Sequence, residues 1–261
     1  MGRMLAAALG LALAMSARAE VVMKEVRYAD RGAELTGYVA YDDAVKEKRP
    51  GLLVVHEWWG ITPHIKDFTR YLASRGFTAF AVDMYGKTAQ DSKTAGELMN
   101  GVMSAPEVMK SRFGAARKVL ASQPTVDSRR IGAIGFSMGG AVVLAMARAG
   151  EDLAGVASVY GSLATRFPAQ PGMVKSRLLI LQAPDDPYVK AESIEAFRNE
   201  MQAAKVDYRF VEYAGAKHGF SNPEATANGK KFDMAIGYSA EADRASRADM
   251  IKFFDEIFEK R

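Results

Sequence analysis

The chain contains no cysteine among its 261 residues. This absence excludes a cysteine nucleophile, cysteine metal ligands, iron–sulfur clusters and disulfide bonds. Histidine is almost as scarce, with only His56, His64 and His218, so we expect no histidine-rich metal centre and no bound metal. A large excess of one charge is also missing, because the chain has 35 lysines and arginines and 31 acidic residues. The resulting net charge of +4 gives no reason to expect a nucleic-acid partner.

Long apolar runs are missing except at the start of the chain. Leu5 to Met15 is apolar but shorter than the ~20 residues that a membrane-spanning helix needs. Arg3 precedes this run and Ala17-Arg18-Ala19 follows it, which is typical of a secretory signal peptide. We therefore predict a signal peptide over residues 1–19, cleavage near Ala19, and a secreted or periplasmic mature chain without stable membrane insertion. An uncleaved membrane anchor is the alternative.

Residues 20–261 are predicted to form a single α/β domain. About half of the chain is hydrophobic, which is enough for a sizeable core. Two strand-like runs flank Asp30-Arg31-Gly32 and predict an N-terminal β-hairpin. Apolar strands then alternate with helices, which favours a mainly parallel central sheet with helices on both faces.

The apolar runs and the helical spacings place the later elements along the chain. The strands predicted after the hairpin cover residues 51–57, 77–84, 130–136, 153–161, 177–186 and 208–215. The predicted helices begin at Pro63, cover residues 106–122 and 138–149, include Ile194 to Met201, and end the chain with Met250, Phe254 and Ile257 on one face. Residues 222–243 show little periodicity and are expected to cover one rim of a functional site.

The candidate chemistry lies where predicted strands end, since an open parallel sheet carries its functional groups at the carboxyl ends of its strands. Ser137 follows one strand, within the pattern Gly135-Phe136-Ser137-Met138-Gly139. Asp185 and Asp186 follow another strand, and His218 follows the last one. The order serine, acid, histidine along the chain is that of an α/β-hydrolase, and a strand before the serine with a helix after it is the context that this motif requires.

Each of these residues also has a structural interpretation. Ser137 sits in a glycine-rich sequence that is also compatible with a plain strand-to-helix turn. A serine nucleophile needs a neighbouring base, which makes His218 the candidate, whereas a histidine with only structural contacts is the alternative. Either Asp185 or Asp186 can orient that histidine. His56 is expected to be a structural or pocket-wall residue at a strand end, and His64 is expected to be solvated.

Five sequence blocks together resemble the dienelactone hydrolase family. They are HEWWG at 56–60, DMYG at 83–86, GFSMGG at 135–140, APDDPYV at 183–189 and AGAKHGF at 214–220. The resemblance spans roughly the whole mature chain. It implies a single-domain α/β-hydrolase that opens lactones and cleaves esters with a catalytic triad and without a metal or an organic cofactor.

Carried over position by position, the resemblance implies roles for individual residues. Ser137 corresponds to the nucleophile, His218 to the base and Asp186 to the orienting acid, with the Asp-Pro-Tyr-Val run favouring Asp186 over Asp185. The backbone N–H groups of Trp58 and Met138 correspond to the oxyanion hole. The residues that correspond to substrate-binding or nucleophile-positioning sites are Glu57, Trp59, Lys87 and Asn222.

Two departures from the family pattern bear on the substrate. The dienelactone-cleaving members use a cysteine nucleophile where this chain has Ser137. They also hold the substrate carboxylate with two arginines, at whose positions Lys87 and Asn222 stand here. We therefore expect a monomeric hydrolase of small esters or lactones other than dienelactone. The alternatives are a peptidase or amidase with the same triad and a non-catalytic binding protein on a hydrolase fold.

Overall fold

The chain begins with a long β-hairpin. A computed structural model describes residues 20–259, so the predicted signal peptide over residues 1–19 lies outside the described residues. Strand β1 covers Val21–Asp30 and β2 covers Ala33–Asp42, paired antiparallel. Arg31 and Gly32 join them with φ angles of 49° and 80°. A two-residue turn with positive φ at both positions matches the twist of the flanking strands, which explains the tight hairpin.

The hairpin extends a sheet whose remaining strands are all parallel. These strands are β3 (Arg49–Val55), β4 (Thr78–Val82), β5 (Val126–Phe136), β6 (Gly155–Val159), β7 (Arg177–Gln182) and β8 (Tyr208–Glu212). The order across the sheet is β1-β2-β4-β3-β5-β6-β7-β8. The pairs β1–β2 and β2–β4 are antiparallel, and all the other pairs are parallel. The prediction of a mainly parallel sheet with an N-terminal hairpin is confirmed.

The described part of the chain has seven helices, and five of them form the main cover of the two faces of this sheet. The seven are α1 (Pro63–Ser74), α2 (Ser92–Met103), α3 (Pro106–Ala121), α4 (Met138–Arg148), α5 (Ala191–Ala203), α6 (Ala225–Phe232) and α7 (Ala240–Phe258). Helices α1 and α7 pack with Leu52 and Val54 in one core cluster, while α3, α4 and α5 pack with Leu53 and Val55 in the other. Successive residues of a buried strand thus serve opposite faces, as the period of two requires.

The strand order places one crevice at the centre of the sheet. From β3 the chain moves to β4 on one side, and it later returns to β5 on the other side. In open α/β sheets, ligands bind outside the carboxyl ends of the strands at such a reversal. Across residues 20–259, no helix combines the length and the apolar character needed to cross a bilayer.

Candidate active site

Ser137 occupies a sharp turn between β5 and α4. Its φ of 51° and ψ of −114° lie in a region that residues other than glycine rarely adopt. A Cβ atom at Gly135 would lie 2.0 Å from the carbonyl oxygen of Gly139, and one at Gly139 would lie 2.3 Å from that of Val55. Both positions therefore require glycine, and the turn packs directly against the end of β3. The Ser137 N–H donates to the carbonyl of Val159 over 2.9 Å, which ties the turn to β6 as well.

A hydrogen-bonded chain joins the ends of three strands. Ser137 Oγ lies 2.8 Å from His218 Nε2, and His218 Nδ1 lies 2.7 Å from Asp186 Oδ2. The other carboxylate oxygen of Asp186 accepts the backbone N–H of Tyr188 over 2.8 Å, and the Asp186 side chain is fully buried. Asp185 is exposed and does not take part in this chain. A carboxylate held at one imidazole nitrogen orients the ring and leaves the other nitrogen free to exchange a proton with the serine.

The loop after β8 holds His218 in place from several sides. The carbonyl of His218 accepts the N–H of Gly237 over 3.0 Å, which links this loop to the segment after α6. The imidazole ring packs against the rings of Tyr160 and Tyr188, with centroid distances of 5.1 and 4.9 Å. Only 13% of the His218 side chain is exposed. The ring therefore has little rotational freedom beyond the orientation that Asp186 selects.

Glu57 lies buried next to this chain, and its carboxylate accepts two hydrogen bonds. Tyr160 OH donates to Glu57 Oε1 over 3.2 Å, and the Asn222 amide donates to Glu57 Oε2 over 2.7 Å. Burial alone would raise the pKa of Glu57, but His64, His218 and Asn222 together outweigh it and hold this pKa below its usual value. Burial raises the pKa of Tyr160, so its hydroxyl keeps its proton and remains a donor. Glu57 is therefore a carboxylate at neutral pH.

His64 is buried, and the prediction that it would be solvated is wrong. Only 4% of the residue is exposed, and its ring packs edge-on against Phe136 at a centroid distance of 5.2 Å. Its Nδ1 lies 3.6 Å from Glu57 Oε2, which is too long for a hydrogen bond but close enough for an electrostatic effect. The physical reason for the burial is that His64 and Phe68 are four residues apart on α1, so both lie on the face that packs against the sheet.

His56 has a structural role at the end of β3. Its Nδ1 contacts the carbonyl of Glu57, and its Nε2 accepts the backbone N–H of Met84 over 3.2 Å. Burial lowers the pKa of His56, so the ring is neutral, with the proton on Nδ1. The ring therefore connects the loops that follow β3 and β4, and Tyr85 packs on it at 4.7 Å. This arrangement fixes the backbone that leads to Trp58.

The backbone N–H groups of Trp58 and Met138 face no acceptor among residues 20–259. Met138 is the first residue of α4, where N–H groups have no partner within the helix. Trp58 follows β3, and Gly139 packs against the end of that strand. Both residues line the same cavity as Ser137. These two amides are thus available to an oxygen atom bound next to the serine.

The hydrogen-bonded chain opens onto a cavity of about 360 Å³. Of the predicted binding residues, Glu57, Trp59 and Asn222 line it. Lys87 does not, and its side chain is exposed, so the structure does not bring Lys87 into the site. The main chain of Lys87 packs against the loop after β3, where a Cβ at Gly60 would lie 2.8 Å from the Lys87 carbonyl oxygen. Lys87 is thus held beside that loop by its backbone, and the residue is exposed instead of lining the cavity.

Sequence reasoning missed one wall of the cavity. Helix α2 was not predicted, yet its residues Met99 and Met103 line the cavity together with Ser137. The signal was present: Asp91 caps the helix through the N–H of Thr94, and apolar residues follow at helical spacing from Ala95 to Val102. The segment after β8 forms another wall, with Met234 and Ile236, as expected for the rim.

The fold and this arrangement define an α/β-hydrolase. The sequence model of the dienelactone hydrolase family matches residues 35–258, and the chain therefore belongs to that family. It is a hydrolase of the ester- or lactone-cleaving type. The fold class and the family resemblance are thereby confirmed.

Individual relatives support this assignment. A dienelactone hydrolase-like promiscuous phosphotriesterase from metagenomic libraries has a crystal structure with a TM-score of 0.83 and 29% identity, covering 91% of this chain and 98% of that chain. A Yersinia pestis protein provisionally named carboxymethylenebutenolidase is 28% identical over 76% of this chain and 78% of its own length. The dipeptidyl peptidase 4 of Porphyromonas gingivalis, at 17% identity and a TM-score of 0.64, shares the fold over 35% of its chain.

Proposed function

We propose that this protein is a serine hydrolase that cleaves carboxylic esters or lactones through an acyl-enzyme intermediate. The observation that carries the proposal is the hydrogen-bonded chain from Asp186 through His218 to Ser137, at the mouth of a cavity. Ser137 is the nucleophile, His218 the general base and acid, and Asp186 the residue that orients the imidazole.

In the first half of the reaction, Ser137 Oγ adds to the substrate carbonyl carbon and its proton passes to His218 Nε2. When the tetrahedral intermediate collapses, the carbon–oxygen bond to the alcohol breaks and His218 returns the proton to the departing oxygen. In the second half, a water molecule replaces the alcohol, gives its proton to His218 and attacks the acyl carbonyl. Collapse then releases the acid and restores the Ser137 hydroxyl.

The amides of Trp58 and Met138 are the proposed oxyanion hole. The negative charge that develops on the carbonyl oxygen needs donors fixed in advance, and these two backbone N–H groups have no other acceptor within residues 20–259. Their position after β3 and after the nucleophile is that of the oxyanion donors in α/β-hydrolases. One such donor contributes about 3 kcal/mol to stabilisation of the transition state.

Glu57 supports the catalytic histidine electrostatically in this proposal. A buried carboxylate near His218 favours the imidazolium that forms when Ser137 gives up its proton. The hydrogen bonds from Tyr160 and Asn222 keep the carboxylate in place, so Glu57 is a positioning residue rather than a nucleophile.

Hydrolysis of para-nitrophenyl hexanoate by the purified protein tests the proposal. We expect Ser137→Ala to lower kcat by about 10⁴-fold or more, as removal of a triad nucleophile does. Ser128→Ala is the matched control, because Ser128 is exposed at the opposite end of the same strand, and it should keep full activity. Full activity of Ser137→Ala would overturn the proposal.

The corresponding amide, hexanoyl para-nitroanilide, separates the competing functions. An esterase cleaves the ester and leaves the anilide nearly intact, whereas an amidase or peptidase cleaves both at similar rates. A binding protein on this fold cleaves neither substrate. Either of these last two results contradicts the proposed ester specificity.

We propose further that residues 1–19 direct export and are removed, which leaves residues 20–261 as the mature domain. The support is the sequence pattern of the leader alone. Expression of the full chain in a bacterial host, followed by N-terminal sequencing of the periplasmic fraction, should return a chain that starts at Glu20. Recovery of the intact chain in the membrane fraction would show an anchor instead.

A further inference from the structure

The walls of the cavity are apolar on almost every side. Methionine and tryptophan dominate the lining, in the form of Trp58, Trp59, Met99, Met103, Met138 and Met234. The indole rings of Trp58 and Trp59 pack at 4.8 Å, and Phe232 supports Trp59 from behind at 5.1 Å. A substrate body in this cavity therefore contacts carbon and sulfur atoms.

The charged and amide side chains of the lining, Glu57 and Asn222, are hydrogen-bonded to each other within the protein. The Glu57 carboxylate accepts from Tyr160 and from one N–H of the Asn222 amide, whose oxygen accepts the N–H of Glu224. The Tyr188 hydroxyl accepts the N–H of Ala235 over 3.3 Å. Besides the Ser137–His218 pair and the backbone amides of Trp58 and Met138, the lining offers a substrate only uncharged hydroxyl groups, those of Ser162 and Tyr188.

No lysine or arginine lines the cavity in the part of the chain from residue 20 to residue 259. The one anionic side chain of the lining is Glu57, and Lys87, which the family pattern suggested as a cationic contact, is exposed to solvent outside the cavity. A carboxylate on the substrate would lose its hydration, find no cation and lie near Glu57. Each of these effects is unfavourable, and like charges in a desolvated site cost several kcal/mol.

We propose that the active site takes neutral esters or lactones with an apolar body and rejects those that carry a carboxylate. This inference rests on the proposed function and adds the substrate class to it. The volume of about 360 Å³ falls at the lower end of the range of roughly 300–1,000 Å³ for small-molecule pockets. The unbranched methionine side chains can adjust to different shapes, so the site discriminates by charge more than by the shape of the apolar part.

Three para-nitrophenyl esters of equal chain length test the proposal. They are the hexanoate, the mono-ester of adipic acid, which ends in a carboxylate, and the methyl para-nitrophenyl diester of adipic acid, which is polar but neutral. We expect kcat/KM for the mono-ester to be lower than for the hexanoate by of order 100-fold after subtraction of the rate without protein. The neutral diester should stay within about tenfold of the hexanoate.

A charge introduced in the wall provides the reciprocal test. Met103 is the last residue of α2 and is 36% exposed, so an arginine there lies at a helix C-terminus, where a cation is favourable. In Met103→Arg, we expect the ratio of kcat/KM for the mono-ester to that for the hexanoate to rise at least tenfold. Met103→Gln, which has similar length and no charge, should leave this ratio unchanged.

The outcomes separate this inference from the function on which it rests. Ser137-dependent cleavage of the mono-ester as fast as the hexanoate would overturn the substrate class and leave the serine mechanism intact. A kcat/KM for the neutral diester as low as that for the mono-ester would also overturn the substrate class. Polarity rather than charge would then determine which substrates the site rejects. Cleavage that survives in Ser137→Ala would instead contradict the proposed function itself.

Discussion

The side-chain amide of Asn222 donates a hydrogen bond to Glu57 Oε2 over 2.7 Å. Both residues are buried, with 3% and 5% of their surface exposed. A neutral amide therefore binds this carboxylate at a position where the dienelactone-cleaving members of the family have an arginine. The carboxylate keeps its charge, because an amide donates a hydrogen bond without neutralising its acceptor.

Asn222→Ala should destabilise the protein because it leaves a buried carboxylate oxygen without its closest donor. We expect the free energy of unfolding to fall by about 1–3 kcal/mol, as measured by urea denaturation. Asn100→Ala provides the comparison, since Asn100 is exposed on α2 and its replacement should change stability by less than about 0.5 kcal/mol. Equal stabilities of the two variants would show that the Glu57 contact contributes nothing.

Glu57 should make the stability depend on pH. Its pKa in the folded protein is lowered, so the unfolded chain, with an ordinary value of about 4.3, takes up the proton first on acidification. The stabilisation is fully present well above that value and is lost as the pH falls through the folded pKa. Below about pH 5, we expect the free energy of unfolding to fall less steeply in Glu57→Gln than in the wild type. Urea denaturation at several pH values measures both slopes.

Glu97→Gln is the control for this comparison because Glu97 is exposed on α2. Its slope should match that of the wild type. If Glu57→Gln gave the same slope as well, the carboxylate would not be the source of the acid sensitivity.

The structure brings Ser137, Asp186 and His218 together, as the sequence grouped them, and the reason is physical. Buried parallel strands read as apolar runs, and their carboxyl ends share one edge of the sheet, so residues after different strands can be grouped without knowing the packing. His64 shows the limit of this reasoning. Its position in the first turn of α1 suggested exposure to solvent. Its burial follows instead from the helical face that it shares with Phe68.

The glycine at position 139 should be essential for activity. A Cβ in Gly139→Ala would lie 2.3 Å from the Val55 carbonyl oxygen, so the nucleophile turn must move away from β3. We expect kcat to fall at least 100-fold, because small displacements of a catalytic group have effects of that order. Steady-state kinetics on folded protein, verified by circular dichroism, measures the change.

Gly114→Ala is the matched control for this substitution. Gly114 lies inside α3 with no atom within 4 Å of an added Cβ, so alanine fits there. Its higher helix propensity should stabilise the protein by about 0.5–1 kcal/mol without loss of activity. Wild-type activity in Gly139→Ala would contradict the described packing of the turn.

The two neighbouring aspartates should differ sharply in their effect on catalysis. Asp186→Asn replaces the acceptor at His218 Nδ1 and permits the wrong imidazole tautomer, for which we expect a loss of about 10³–10⁴-fold in kcat. Asp185→Asn changes an exposed side chain and should leave kcat within about twofold. Equal losses in the two variants would argue against the assignment of Asp186 as the orienting acid.

The sequence indicated less about the walls of the cavity than about the residues that follow the strands. The family resemblance placed Lys87 near the substrate, but only its backbone packs against the loop after β3, and the residue is exposed outside the cavity lining. Met99 and Met103 belong to α2, which packs against the loop after β3 and against one of the two core clusters. The helix itself has a local signal in the sequence, but its packing beside the cavity does not, so the proposed substrate class is argued from the structure.

Covalent labelling with a fluorophosphonate probe tests the central claim most directly. The probe reacts with an activated serine, and peptide mass spectrometry locates the modified residue. We predict one modified peptide that carries the adduct on Ser137, no labelling in Ser137→Ala, and labelling that is slowed at least 100-fold in His218→Ala. An adduct on a different residue, or labelling that persists in Ser137→Ala, would contradict the assignment of Ser137 as the nucleophile.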